Sequence, residues 1–326
     1  MARMLPDGRR LGAHLPLGAG MVKAVDRAIE IGATALQIFT DNPTAWARRA
    51  EPPAELPAFR DRLAEARIDP VVSHASYLIN LAGADPRFAD QSVELLAQEL
   101  VAAPAYGVRL VNVHIGSHRG AGVDAGIERL ARGVAATFAR ADQLRNAAGD
   151  VGGPVPTLVL ENSAGAGWGL GTSLEELTAI AAAIDVAGVD PARIAFCLDV
   201  AHAWGAGIDL SHPEAIDAFL AAFDRAIGLQ RLALVHLNDS RVERGSRLDR
   251  HEHVGAGRVG ERGMAHLLRH PDLAHATYIV ETPGMDEGYD AINLARAEAL
   301  AWGTPLAPLP EGAFDLRGSR ARTAPA

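Results

Sequence analysis

The stretch "TLVLENSAGAGWGLGTSLEELTAIAAAI", residues 157–184, reads as one complete strand–loop–helix unit. Thr157 to Leu160 is a run of β-branched and apolar residues, the mark of a strand buried on both faces of a parallel sheet. It stops at an acid, Glu161. A glycine-bearing loop follows. Ser173 then stands three residues before Glu176, the capping box that opens a helix, and an alanine-rich pattern carries that helix on.

The same unit recurs along the 326-residue chain. The strand-like runs are LGAH (11–14), TALQIF (34–39), PVVSH (70–74), RLVNVH (109–114), TLVLE (157–161), IAFCLD (194–199), LALVH (232–236) and TYIVE (277–281). Between them fall helical patterns such as 20–32, 90–107 and 173–184, and Pro213 opens another helix at a favoured first-turn position. Eight strands alternating with helices predict the α/β class and a (β/α)8 TIM barrel, a single domain over residues 11–302. An open doubly wound sheet is the competitor. No glycine fingerprint of the dinucleotide-binding type follows the first strand, which counts against it. Residues 303–326, rich in Pro, Gly and Arg, read as a mobile tail.

The composition, 48% hydrophobic and 22% charged, is that of an ordinary globular protein. A formal net charge of −9, taken alone, argues against a nucleic-acid partner. Cys197 is the single cysteine, so neither an intramolecular disulfide nor a cysteine-only zinc site can form. It sits in the run IAFCL and reads as a small buried hydrophobe. No apolar leader segment and no membrane-length apolar run is visible, so the expectation is a cytoplasmic protein without a membrane span.

The residues that end the strands carry the chemistry. They are His14, His74, His114, Glu161, Asp199, His236 and Glu281, with His202 three residues past Asp199, and Asp249 and His251 in the polar segment LDRHEHVGAG (248–257). In a barrel, strand C-termini surround one mouth. A single histidine or acid there is most simply a structural residue or a helix cap. Several buried carboxylates meeting without partners would be very costly, and divalent cations remove that cost. Imidazole with carboxylate suits zinc, with manganese or iron as alternatives. His212, His266, His270 and His275 lie on helices or connecting loops and read as structural. His14 flanks the cluster as a structural residue or a group behind the ligands, and His118 and His253 as structural residues, groups behind the ligands or phosphate contacts.

The segments SHASYLINL (73–81), VHIGSH (113–118), LENSAGAG (160–167), LDVAHAWGAG (198–207), VHLNDS (235–240), GSRLDRHEHVGAG (245–257) and ETPG (281–284) resemble, in order, the signature blocks of endonuclease IV, the deoxyribonuclease IV class of apurinic/apyrimidinic endonucleases. The resemblance implies three Zn2+ ions, with Mn2+ or Fe2+ possible at one site. His74 and His114 would hold the first, and Glu161 would bridge to the second. Asp199, His236 and Glu281 would complete the second, and His202, Asp249 and His251 would hold the third. The implied catalytic residues are Glu161 and Glu281. The implied substrate is damaged double-stranded DNA, cut 5′ to an abasic site to leave a 3′-hydroxyl and a 5′-deoxyribose phosphate, with removal of blocked 3′ ends besides. Three divalent ions against four carboxylates would turn the site from −4 to +2 and the protein from −9 to −3, so the acidic total does not exclude DNA.

Tyr77 and Leu78 match a loop that in the family enters the DNA stack; their other reading is a lid over the barrel. Trp46 and Asn42 lie in a second such loop, where Asp41, Pro43, Thr44 and Ala45 supply no cation. Ala75 and Ala256 stand where many relatives carry acids. The rival functions are a metal-dependent sugar isomerase or epimerase on the same barrel, a DNA-lesion binder that does not cut, and a nuclease for ultraviolet photoproducts. The isomerase needs Glu161, Asp199, His236 and Glu281 but not the trio His202, Asp249 and His251. A monomer is expected.

Overall fold

Continuous apolar runs predict strands with both faces covered, and the computed structural model, which describes residues 5–150, 155–285 and 287–316, arranges them that way. Its strands are β1 (Arg10–His14), β2 (Ala35–Ile38), β3 (Val71–His74), β4 (Val108–His114), β5 (Thr157–Glu161), β6 (Ile194–Asp199), β7 (Leu232–His236), β8 (Asp239–Ser240), β9 (His251–Glu252) and β10 (Thr277–Val280). All except β8 and β9 pair in parallel with their neighbours in chain order, and β10 closes back onto β1. The expected TIM barrel is therefore the fold. Strand eight of the barrel ends at Val280, one residue before its acid, so Glu281 is the first residue of the following loop. The pair β8–β9 is a small antiparallel hairpin apart from the barrel.

Side chains alternate along each strand. Ala35, Val72, Val159, Ala195, Cys197, Leu234 and Ile279 point one way and form a cluster of their own, the barrel interior. Their neighbours, Leu36, Val71, Leu158, Leu160, Phe196 and Val235 among them, belong to the larger core under the helices. Burial pushes the Cys197 thiol up to about 12, which makes it a packing residue rather than a nucleophile.

The helix over Leu174–Val186 opens with the forward half of the capping box. Ser173 Oγ accepts from Glu176 N at 3.3 Å, while the Glu176 carboxylate reaches one residue past the cap, to Thr172 N at 3.0 Å. The pattern expected over 90–107 begins earlier, at Pro86, because Asp85 caps it; it ends at Ala102 and passes into a 3-10 turn, Ala103–Tyr106. Among the described residues, no helix is long and apolar enough to cross a membrane.

One glycine is required by close approach inside the barrel. A Cβ on Gly12 of β1 would lie 2.0 Å from the Ala35 carbonyl oxygen of β2. Backbone cannot yield there without parting two barrel strands. Gly12→Ala is expected to destabilise the protein by about 3 kcal/mol, read as a lower urea midpoint with an unchanged slope.

The first part of the segment expected to be a mobile tail is held on the body. Arg296 Nη1 donates to Ala307 O at 2.7 Å, His253 Nε2 lies 3.0 Å from Ala313 O, and Ala313 is buried. Residues 317–326 lie outside the described residues. His253 is thus occupied with this segment, with Asn293 and with the Tyr289 ring, and not with the barrel mouth.

Candidate metal centre

The polar side chains of the mouth continue the inward rows of the barrel. Val72 precedes His74 by two residues, Val159 precedes Glu161, Cys197 precedes Asp199, Leu234 precedes His236, and Ile279 precedes Glu281. Strand parity therefore aims all five into one space. His114 is level with Glu161, and Asp199 with His236, in neighbouring strands. Two local devices add the rest. Asp199 caps the helix Val200–Ala206 by accepting from His202 N at 2.8 Å, which fixes His202 beside it. The β8–β9 hairpin carries His251 back over the mouth.

The return path of that hairpin is pinned by Asp239. Its buried carboxylate accepts from the N–H groups of Ser240, Gly257, Val259 and Gly260. Gly257 is obligatory here, because a Cβ would meet Ser240 O at 2.4 Å.

Three groups of donors result at the mouth. His74, His114 and Glu161 form one; Glu161, Asp199 and His236 a second; Asp199, His202 and His251 a third. Each imidazole Nε2 of the first group is 3.6 Å from Glu161 Oε2. His236 Nδ1 is 3.2 Å from Glu161 Oε1, 3.8 Å from Asp199 Oδ2 and 3.4 Å from Glu281 Oε2. Asp249 completes the third group, 3.3 Å from His202 Nε2 and 3.0 Å from His251 Nε2. Donors bound about 2.0–2.1 Å from a tetrahedral ion stand roughly 3.3 Å apart, so these separations fit shared cations.

The hydrogen bonds on the far side of the rings fit the same chemistry. His74 Nδ1 faces Ala75 O at 2.8 Å, His202 Nδ1 faces Asn162 O at 2.9 Å, and His251 Nδ1 faces Glu281 O at 2.9 Å. A carbonyl can only accept, so each Nδ1 carries a proton, and Nε2 is the nitrogen left to meet a cation. In His236 the roles reverse: Nε2 donates to Gln37 Oε1 at 2.9 Å, which frees Nδ1. His251 Nε2 is buried, and what faces it is carboxylate, Asp249 Oδ1 at 3.0 Å and Asp199 Oδ2 at 3.7 Å. The donor set suits a divalent metal ion.

Burial pushes the Glu161 carboxyl up, but His236, His114 and hydrogen bonds from the cluster outweigh it and hold it well below the usual range. Burial and then Asp249 act oppositely on His251, and the acid wins, raising it to about 9. Burial takes His114 down to about 4. Imidazolium protons thus balance part of the acidity, and a metal ion must displace them; loading weakens as pH falls.

Sequence reasoning takes the acids and imidazoles and passes over the amides. Gln37 Nε2 donates to Glu281 Oε1 at 2.6 Å while its oxygen holds His236. Asn112 Nδ2 donates to Glu161 Oε2 at 2.6 Å, and Asn238 Nδ2 to Asp199 Oδ2 at 2.7 Å. Asn162 Oδ1 accepts from Asp199 N. His14 lies beside this network, its Nδ1 2.9 Å from Gln37 Nε2. His118 is turned to its own loop, where Nδ1 accepts from Gly122 N.

A cleft of about 640 Å3 opens at the mouth, lined by Tyr77 together with His74, His114, Glu161, His251 and Glu281, among others. Tyr77 is 55% exposed, and its ring packs 5.3 Å from His74 and 5.8 Å from His114. Leu78 is half-buried beside it. Ser76 Oγ and Tyr77 N both donate to Pro43 O, which joins this loop to the one carrying Asn42 and Trp46. Trp46 is partly buried against the core near Phe88, and Asn42 Oδ1 is spent on Thr44 in a local turn. The root of that loop is fixed by Glu99, whose buried carboxylate accepts from Thr40, Ser73 and Arg48.

A family model described as a xylose isomerase-like TIM barrel matches residues 25–305. The chain is 38% identical to the probable endonuclease 4 of Methanoculleus marisnigri over 291 residues, 89% of this chain and 98% of that protein. It is 40% identical to the probable endonuclease 4 of Nitratidesulfovibrio vulgaris (strain DP4), again over 89% of this chain and 98% of the other. Among solved structures, endonuclease IV from Thermus thermophilus matches with a TM-score of 0.75 and 37% identity, covering 90% of this chain and 100% of that one. A D-tagatose 3-epimerase-like protein, 17% identical with a TM-score of 0.62 over 90% of this chain and 97% of that one, shares the fold.

Proposed function

The chain belongs to the endonuclease IV family of AP endonucleases, and from that premise we propose that it hydrolyses the DNA phosphodiester 5′ to an abasic site, leaving a 3′-hydroxyl and a 5′-deoxyribose phosphate, and clears blocked 3′ ends. The observation that carries the reading is the convergence of nine acid and imidazole side chains on one cleft, with the imidazole rings oriented by hydrogen bonds on their far sides.

His74 and His114 would hold one zinc ion with Glu161, which would be shared with a second ion held by Asp199, His236 and Glu281. His202, Asp249 and His251 would hold a third, where manganese or iron is the alternative. Bound ions would supply the positive charge that grips phosphate oxygens, acidifies a water and stabilises the departing 3′-oxygen. The chain supplies the rest. Glu281, which accepts hydrogen bonds from Gln37 and Asn238, would orient the attacking water. Tyr77 and Leu78 stand at the rim, where a nucleotide swung out of the duplex must enter; one that has lost its base unstacks at lower cost. Trp46 and Asn42 would shape the neighbouring loop against the backbone.

The trio His202, Asp249 and His251 has no use in a sugar isomerase that works with Glu161, Asp199, His236 and Glu281 alone. The deciding assay offers a duplex with one synthetic abasic site, and separately ketose sugars, with and without a strong chelator. Chelator-sensitive nicking of the duplex is expected; turnover of sugar without nicking would refute the proposal.

Gln37 offers a milder test. Gln37→Ala removes the acceptor that fixes the His236 tautomer and one donor to Glu281. Zinc affinity is expected to fall about 10–100-fold in a chelator competition, with the far-ultraviolet circular dichroism unchanged.

A further inference from the structure

A second set of metal-ligating side chains meets on the outer helices. Asp217 lies on the helix Pro213–Ala226, His266 on the helix Gly260–Arg269, and His270 caps the end of the latter. One donor atom from each lies within 4.8 Å of the others. His266 Nε2 is 2.5 Å from Asp217 Oδ1, and His270 Nε2 is 3.4 Å from the same oxygen. The two histidines are four residues apart, which puts them on one face, and their rings meet edge-on with centroids 5.5 Å apart. The Asp217 side chain is 55% exposed, while those of His266 and His270 are 28% and 11% exposed, so the group is open to an ion on one side only.

Three features favour a cation here. Asp217 has no lysine or arginine partner among the described residues; its ion pairs are with the two histidines. Nearby arginines are committed elsewhere, Arg262 to Glu214 and Arg269 to the carbonyls of Leu300 and Ala301. Both histidines stand at a helix C-terminus, where the backbone dipole attracts positive charge.

We propose that Asp217, His266 and His270 bind a divalent transition-metal cation of the zinc class, separate from the barrel mouth, which clamps the helix Pro213–Ala226 to the helix Gly260–Arg269. The short His266–Asp217 contact is a hydrogen bond, and entry of the ion replaces its proton and parts the two atoms to roughly the 3.3 Å of shared ligands. Two nitrogens and one oxygen, with water completing the shell, hold the ion less tightly than a four-ligand structural site. The clamped helix begins at Gly260, whose N–H is held by Asp239 at the return of the hairpin that carries His251. The ion therefore stiffens the element to which that hairpin is tied.

The test uses the full chain with its tightly held ions, dialysed free of loosely bound metal and titrated with Zn2+ in a calorimeter. One further ion per chain is expected for the parent. It is absent from His266→Ala and from Asp217→Asn, both of which cut abasic DNA at the parental rate. Zinc at about a hundredfold excess over Kd raises the melting midpoint of the parent by several degrees and leaves the variants unmoved. Absence of a further ion in the parent overturns the proposal, and so does an added ion that survives both substitutions. The parental titration decides even if one variant fails to fold.

Discussion

Glu161→Gln will lose about 10³-fold or more in cleavage of an abasic duplex and will keep its fold. Glu161 is 1% exposed and lies within 3.6 Å of imidazole nitrogens from His74, His114, His202 and His236. It is the side chain that the first two donor groups share. An amide has the same shape, so packing is preserved. It has no negative charge and only one acceptor oxygen, so it cannot serve two cations at once. Asn112, which donates to Oε2, would also meet an NH2 group in one amide orientation. Single-turnover cleavage with circular dichroism is the measurement; a variant that cuts at the parental rate would remove Glu161 from the mechanism.

His251→Ala is expected to cut about 10²–10³-fold more slowly while retaining two ions. His251 Nε2 faces Asp249 Oδ1 at 3.0 Å and Asp199 Oδ2 at 3.7 Å. Its loss leaves the third ion to His202 and Asp249. The Asp249 side chain is half exposed on its loop, a poor anchor for a cation that has lost its firmest neighbour. The first two groups share no atom with His251, so their ions stay. Metal content and single-turnover rate, measured together, separate this outcome from general collapse. Full activity with two ions would show that the third group is dispensable, as an isomerase-like site would have it.

The strands are legible because a parallel strand buried on both faces has no polar residue until it reaches the mouth. TLVLE, IAFCLD and LALVH match β5, β6 and β7 residue for residue. The same rule exposes the candidate ligands, since a charge ending an apolar run has few other reasons to be there. The amides escape it. Gln37 and Asn112 interrupt apolar runs but bear no charge, and so pass for strand interior; parity with Ala35 and Leu110 marks them as inward. Asp239 and Glu99 are hidden for another reason. Apart from Ser240 beside Asp239, their partners lie 18 to 59 residues away in sequence, and nothing local distinguishes them from a turn acid and a helix-surface acid. Composition alone makes residues 303–316 look mobile, because it cannot register that a buried histidine holds Ala313.

The central claim is that divalent cations, and not protonated imidazoles, hold these acids together in the working protein. Elemental analysis of the purified chain, after dialysis that strips weakly held ions, tests it most directly. Close to three metal ions per chain, mostly zinc, are expected, with cleavage lost on their removal and regained on their return. A preparation that nicks abasic DNA at full rate with a single ion per chain would contradict it.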